Sequence, residues 1–306
     1  MSLYSQNQSD TIVVDRNGRG DYRNISDAIE SIRAFDPEHI VTVYIRDGYY
    51  KEKLTVPTWL NRVNFVGESA EHTIINYDDH ANIALPDGKG GKTGTFRTYT
   101  LLVQGNDITF ENMSIENSAL QLGQAVAMHV EGDRIVLRNC KLIGNQDTFY
   151  AGRENCRIYL ENCYIEGTTD FIFGASTCWF EKCEIFCKKN SFITAASTPQ
   201  NTAYGLIFNN CTIRTAEHVD KLYLGRPWRP FAMTVFMNCQ LPAAIVPEGW
   251  DNWRNTENEK TARYFEYNNS GDGANNSQRA NWTTILTKTQ AEEITLENVF
   301  KDWKIN

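Results

Sequence analysis

The 306-residue sequence predicts an all-β chain wound as a right-handed parallel β-helix, with an N-terminal capping helix and a C-terminal helical tail. Three observations carry this. The pattern x-Φ-x-Asn-Φ-x-Φ, with Φ apolar, recurs at residues 110–115, 137–142, 160–165, 180–185, 208–213 and 236–241, Lys182 standing in for one Asn. The Asn positions are 27, 23, 20, 28 and 28 residues apart, the length of one coil with turns of variable size. Finally, Cys140, Cys163, Cys183, Cys211 and Cys239 share one place in the repeat, and Asp147 and Asp170 each lie seven residues beyond a cysteine of that set.

The elements follow in chain order. Residues 11–14 (TIVV) are β-branched and predict a first strand. Ile25, Ala28, Ile29, Ile32 and Phe35 recur at three and four, a helical interval, with Ser26 as the expected N-cap. One amphipathic helix here suits a cover over the first coil, whose open edge would otherwise invite aggregation. Further strands are predicted at 40–45 (IVTVYI), at 49–54 after the turn Arg46-Asp47-Gly48, at 61–67 and at 73–76. Strands at this spacing also suit a sandwich; the repeat decides between the two. The repeated Asn predicts a ladder at a bend, because its side chain pairs with turn backbone and it tolerates the left-handed conformation. The repeat is expected to end at Asp251. Residues 252–281 are rich in Asn, Thr and Gly, and Thr289-Gln290-Ala291-Glu292 has the form of a capping box before one final helix through Phe300, the tail packing along the outside of the coils. Residues 1–10 read as an unstructured or cloning-derived start and residues 11–306 as a single domain.

Composition narrows the function. Thirty Lys and Arg against 38 Asp and Glu give a formal charge of −8, which argues against nucleic acid and against an anionic membrane surface as partners. No run of 18 apolar residues offers a membrane span. The first residues lack a secretory signal, so the protein is either cytoplasmic or separated from its leader; the polar opening favours the second. Of the eight cysteines, Cys183 and Cys187 alone have a metal-like spacing, with no second pair to complete a zinc site, so the repeated cysteines read as a column of small buried thiols.

The chemistry is expected where the coils bring polar groups together. Gln124, Gln146 with Asp147, and Asp170 fall at matching points of three successive coils, and Leu224-Gly225-Arg226-Pro227-Trp228 adds a cation and an indole. Taken singly, an Asp in a turn is ordinarily an Asx-turn and a buried Gln is ladder glue. Their coincidence on matched positions points to more. Stacked at the strand spacing of roughly 4.8 Å, two carboxylates push one another's pKa values apart, so that identical side chains become an acid and a base. Arg226 within reach would hold Asp170 ionised as a nucleophile, while Asp147 would keep its proton and donate it to a leaving alcohol. Gln124 and Gln146 would offer amide N–H donors to a developing oxyanion. Those roles describe ester hydrolysis through an acyl-enzyme.

At these residues the chain resembles the pectin methylesterase (pectinesterase) family, in its bacterial form. Residues 48–52 (GYYKE) match GxYxE, 124–128 (QAVAM) match QAVAL, 146–149 (QDTF) match QDTL, 170–174 give DFIFG and 224–228 give LGRPW; 247–253 (PEGWDNW) and 264–268 (YFEYN) are similar to late family segments. The resemblance covers about residues 10–303. It implies Asp170 as nucleophile on the C6 methyl ester of a galacturonate unit, Asp147 as acid and then base, Gln146 and Gln124 at the oxyanion, Arg226 orienting Asp170, and Trp228, Tyr150 and Phe173 along the sugar groove. It implies no cofactor and no metal, a partner in methyl-esterified polygalacturonate or its oligomers, a monomer, and a secreted, periplasmic or cell-surface location. Phe149 and Met128 stand where Leu is usual, and Gly152 where many plant members have His. Two rivals share the fold: a β-helix polygalacturonase or pectate lyase, and a non-catalytic carbohydrate-binding β-helix. The glutamines favour carbonyl chemistry over the first, and the matched polar set favours an enzyme over the second.

Overall fold

The computed structural model describes residues 10–36, 38–86 and 88–305. Its strands form three sheets in which every laddered neighbour is parallel, one of eleven strands and two of seven, and the chain visits the three in turn. One coil, for example, consists of Ile135–Arg138, Lys141–Ile143 and Phe149–Ala151; the next consists of Arg157–Glu161, Tyr164–Gly167 and Ile172–Gly174. This is the parallel β-helix that the repeat predicts, wound in the right-handed sense that such crossovers almost always take.

Because each coil lies on the last in register, like side chains stack. Phe65, Phe110, Leu137, Leu160, Phe180, Phe208 and Phe236 form one inward column, in which Phe180, Phe208 and Phe236 lie nearly parallel with centroids 4.4 Å apart. A second column runs through Ile75, Ile115, Leu142, Ile165, Ile185 and Ile213. At the bend between the first two sheets, Asn112, Asn139, Asn162, Lys182, Asn210 and Asn238 all have φ between 51° and 56°, the left-handed corner expected of the ladder. The residue after each corner turns inward. Met113 and then the five repeated cysteines fill these places, and all eight cysteines of the chain are free and buried. Each column thiol donates to the carbonyl two residues earlier, as Cys140 does to Arg138 at 3.3 Å, and each is pushed up by burial wherever a shift is resolved, which leaves these sulfurs as packing groups.

Several boundaries differ from the sequence reading. The start assigned to residues 1–10 lies outside the described residues except for Asp10, which opens the first strand, Asp10–Val14. The first helix, Ile25–Ser31, has Asn24 and not Ser26 at its N-cap, and no side chain of its own caps it. The carboxylate of Glu52 does so instead, taking the N–H groups of Ile25 and Ser26 at 3.0 and 2.9 Å. Ile25, Ala28 and Ile29 are buried as expected, whereas Phe35 lies past the helix and is 80% exposed. The repeat also continues beyond Asp251. Arg263–Tyr267 adds a further parallel strand to Met233–Met237, and Asn268 repeats the left-handed corner at φ 49°. Two short helices, Lys288–Glu292 and Leu296–Phe300, replace the single final one, and the capping box is Thr287 with Gln290, two residues earlier than expected. The tail does pack outside: Leu286, Ala291, Val299 and Phe300 cover Tyr159, Trp179, Ile207, Val235 and Met237 on the outer face of the long sheet.

Removing one ring from the aromatic column leaves a cavity between coils that cannot slide together without losing register. Phe208→Ala is expected to cost about 3–5 kcal/mol, read as a lower urea midpoint with the slope unchanged.

Candidate active site

The site is built on the sheet whose strands include Phe149–Ala151, Ile172–Gly174 and Tyr223–Gly225. Phe149 pairs with Ile172, so Asp147 and Asp170, each two residues before its strand, sit side by side on adjacent coils. Both have left-handed backbones, φ 68° and 49°, a conformation that aspartate tolerates better than most residues and that turns the two carboxyls to the same face. Their N–H groups are tied to the next coil, Asp147 to the Thr169 carbonyl at 3.2 Å and Asp170 to that of Phe192 at 2.9 Å. Gly174 closes the motif after Asp170. Its φ of 128° and an Ala151 carbonyl oxygen 2.0 Å from where a Cβ would sit leave room only for glycine.

Arg226 reaches back to Asp170 as a fork, Nε to Oδ1 at 3.0 Å and Nη2 to Oδ2 at 2.6 Å. Its guanidinium carbon lies 3.9 Å from the ring centre of Phe192 and 3.8 Å from that of Trp253. Gln124 enters through the backbone: Ala125 N–H donates to the Gln146 carbonyl, and the Gln124 carbonyl accepts from Ala81. A cleft of about 230 Å³ is then lined by Gln124, Gln146, Asp147, Asp170, Phe173, Arg226 and Trp228, together with Thr95, Phe96, Ala195 and Trp253. Tyr150 stands beside it, its ring 4.6 Å from that of Phe173 and 6.3 Å from Trp228. The structure thus brings together all eight residues singled out in the sequence. Larger hollows occur elsewhere, such as one bounded by Tyr22, Arg33 and His39, without this meeting of carboxylates, amides and a guanidinium.

The electrostatics separate the two aspartates, though not wholly as expected. Both are almost completely buried. Burial, and then the charge of Asp170, push the Asp147 carboxyl far above the ordinary carboxylate range, against smaller pulls from Arg226 and the Gln146 side chain. Arg226 was expected to hold Asp170 low. Burial outweighs it, and with a push from Asp251 the Asp170 carboxyl also sits above its ordinary value, though the hydrogen bonds and charge of Arg226 keep it from rising as Asp147 does. Asp147 is therefore the member of the pair that holds a proton when Asp170 has lost its own.

Phe96, Phe192, Trp253 and His129 were not foreseen. Phe96 comes from the long loop before Leu101–Val103 and packs 4.9 Å from Tyr150; His129 lies under the same rings, 4.6 Å from Tyr150 and 3.2 Å from Glu131. His129 could have been found from the repeat, since it pairs with Tyr150 in the ladder, and so could Phe192, which takes the place of Asp170 on the next coil and pairs with Tyr223; Trp253 sits in the PEGWDNW segment; nothing in the sequence marks Phe96.

A family model described as Pectinesterase matches residues 11–302. The chain belongs to the pectinesterase family. It is 38% identical to Pectinesterase 31 of Arabidopsis thaliana over 283 residues, 91% of this chain and 88% of that one. Its fold matches the pectin methylesterase from carrot with a TM-score of 0.87 at 28% identity, covering 96% and 94% of the two chains. A pectin methylesterase solved in complex with a hexasaccharide matches with a TM-score of 0.83 at 27% identity, over 97% and 98%. The candidate cleft lies midway along the stack, with aromatic side chains beside the carboxylate pair.

Two buried carboxylates on adjacent coils oppose folding. A carboxyl whose native pKa lies above its unfolded value adds stability below the unfolded pKa, and that stability is lost as pH rises through the native one. Asp147→Asn removes this loss. Its melting temperature is expected to exceed the wild type's at about pH 8, corresponding to about 0.5–2 kcal/mol, and the gain to shrink toward nothing near pH 4, as paired thermal melts would show.

Proposed function

We propose that the chain hydrolyses the C6 methyl esters of homogalacturonan through an aspartyl acyl-enzyme, giving free galacturonate and methanol. The observation that carries this reading is Asp147 stacked beside an Arg-paired Asp170 in a cleft also lined by two amide side chains, with burial and the charge of Asp170 favouring a proton on Asp147. One carboxylate oxygen of Asp170 attacks the ester carbonyl. The carbonyl oxygen takes the negative charge and receives hydrogen bonds from the side-chain amides of Gln146 and Gln124. As the intermediate collapses, the C–O bond to the methoxy group breaks and Asp147 gives its proton to that oxygen, releasing methanol. Asp147, now a carboxylate, takes a proton from water; the resulting hydroxide attacks the Asp170 anhydride, and both side chains return to their starting states. Arg226 orients Asp170 throughout and moderates its charge in a site largely cut off from water. No step calls for a metal or cofactor.

Trp228 and Phe173 line the cleft and Tyr150 stands beside it, aromatic rings of the kind that pack on sugar rings, which supports pectin or its oligomers as substrate; a monomer is the state proposed. No described helix is long and apolar enough to cross a membrane, and a polymeric cell-wall substrate fits a secreted, periplasmic or cell-surface enzyme.

Wild type is expected to release methanol from highly methylated pectin while the polymer's viscosity holds, and Asp170→Ala to lose about a thousand-fold or more of that rate. A fall in viscosity without methanol would assign the pair to glycosidic cleavage instead. The rate should be bell-shaped in pH. Its acid limb falls as Asp170 takes up a proton above the ordinary carboxylate value, and its alkaline limb falls as Asp147 loses the one it donates; a profile flat across both limbs would reject the assignment.

A further inference from the structure

Arg226 is held by more than the carboxylate it serves. Two rings within 4 Å of one guanidinium carbon can be accommodated only on opposite faces of that planar group, so Phe192 and Trp253 sandwich it. Each ring is braced in turn. Phe192 stacks on Tyr223 of the next coil, centroids 5.2 Å apart and planes 26° from parallel. Trp253 stands in a turn with φ 60°, a left-handed backbone that is costly for a bulky residue and persists where the surroundings impose it. Here Asp251 imposes it, accepting the Trp253 N–H on Oδ1 at 2.7 Å while its own N–H binds the Gly225 carbonyl. Tyr223, Phe192, the guanidinium and Trp253 are thus joined by successive ring contacts, and the Phe192 carbonyl also accepts the N–H of Asp170.

We propose that Phe192 and Trp253 are positioning residues, an aromatic clamp that fixes the plane of Arg226 so that both of its fork bonds to Asp170 stay aligned. The inference rests on the acyl-enzyme reading above, because only there does the orientation of Asp170 limit the rate. Trp253 also lines the cleft, whereas Phe192 lies behind Arg226 and outside the cleft lining. Phe192 is therefore the cleaner test. An aliphatic side chain there would leave one face of the guanidinium without its ring, and the fork would loosen into a mixture of single bonds. Arg226 would then pull less on the Asp170 carboxyl, which would take up its proton at higher pH.

The experiment compares Phe192→Leu, Phe192→Met and Phe192→Tyr with wild type in methanol release from methylated pectin, over the full pH profile, each protein first shown to be folded by circular dichroism and a melt. Phe192→Leu and Phe192→Met are expected to lose on the order of ten-fold in kcat with KM little changed, and to move the acid limb to higher pH. Phe192→Tyr, which keeps the ring, is expected to restore both. Folded aliphatic variants with the wild-type kcat and acid limb would overturn the clamp, as would a Tyr variant as impaired as Leu. A wild type that released no methanol would overturn the underlying acyl-enzyme reading and the clamp with it, whereas an active wild type that lost its activity in Asp170→Ala would leave the clamp to be judged by the Phe192 variants alone.

Discussion

The rest of this structure depends on the parallel stacking of coils in register. A strand spacing of roughly 4.8 Å sets the distance between like positions, and the chain satisfies its backbone by bonding each coil to the next. Once register is fixed, side chains are sorted by column and no longer by sequence neighbourhood. Phenylalanine meets phenylalanine at 4.4 Å, cysteine follows cysteine at the inner corner, and asparagine takes the left-handed bend on coil after coil. The same rule places Asp147 beside Asp170. An arrangement that packs apolar columns well becomes a means of forcing two acids together.

That compulsion explains the electrostatics. Neither carboxyl can move away from the other without breaking the ladder that carries it, and both are shut away from water. The strain is met by a raised pKa at Asp147, which favours its neutral form, and by a guanidinium at Asp170. Arg226 arrives from further along the coils, and aromatic rings flank it, so the relief is unequal: Asp170 receives two hydrogen bonds and its charge, Asp147 its charge alone. Unequal treatment of equal side chains is what the proposed mechanism needs, one to attack and the other to transfer a proton.

Much of this was legible in the sequence wherever the repeat spoke. The coil architecture, the thiol column, the left-handed corners and the meeting of Gln124, Gln146, Asp147 and Asp170 follow from spacing, because spacing maps directly onto stacking, whereas Arg226, Trp228, Tyr150 and Phe173 were placed by motif and resemblance. What was not legible lies where a distant residue completes a local feature. Ser26 looked like a helix cap by position, but Glu52, 26 residues later, supplies the capping oxygens, and with them a structural use for the glutamate of the GYYKE segment. The coil at Arg263–Tyr267 went unseen because Asn269 stands where the earlier coils have cysteine. The tail breaks into two helices because Thr287 and Thr295 each cap one. Phe96 belongs to no repeat pattern, Phe192 holds the place of Asp147 and Asp170 on the next coil but lies nine and not seven residues beyond its cysteine, and the balance between burial and Arg226 at Asp170 is a contest of three-dimensional surroundings that spacing cannot weigh.

The cleft residues proposed to act are drawn from coils between Gln124 and Arg226, while the same columns of packing run on well before and after them. Whole coils are therefore not interchangeable, although the core treats them so. A coil gained or lost near either end would change the length of the rod and leave the chemistry intact; the same event between Asp147 and Arg226 could preserve every packing contact and still separate the guanidinium from its carboxylate by one strand spacing. In this chain the freedom of a modular scaffold to lengthen and shorten stops where function spans the joints between modules.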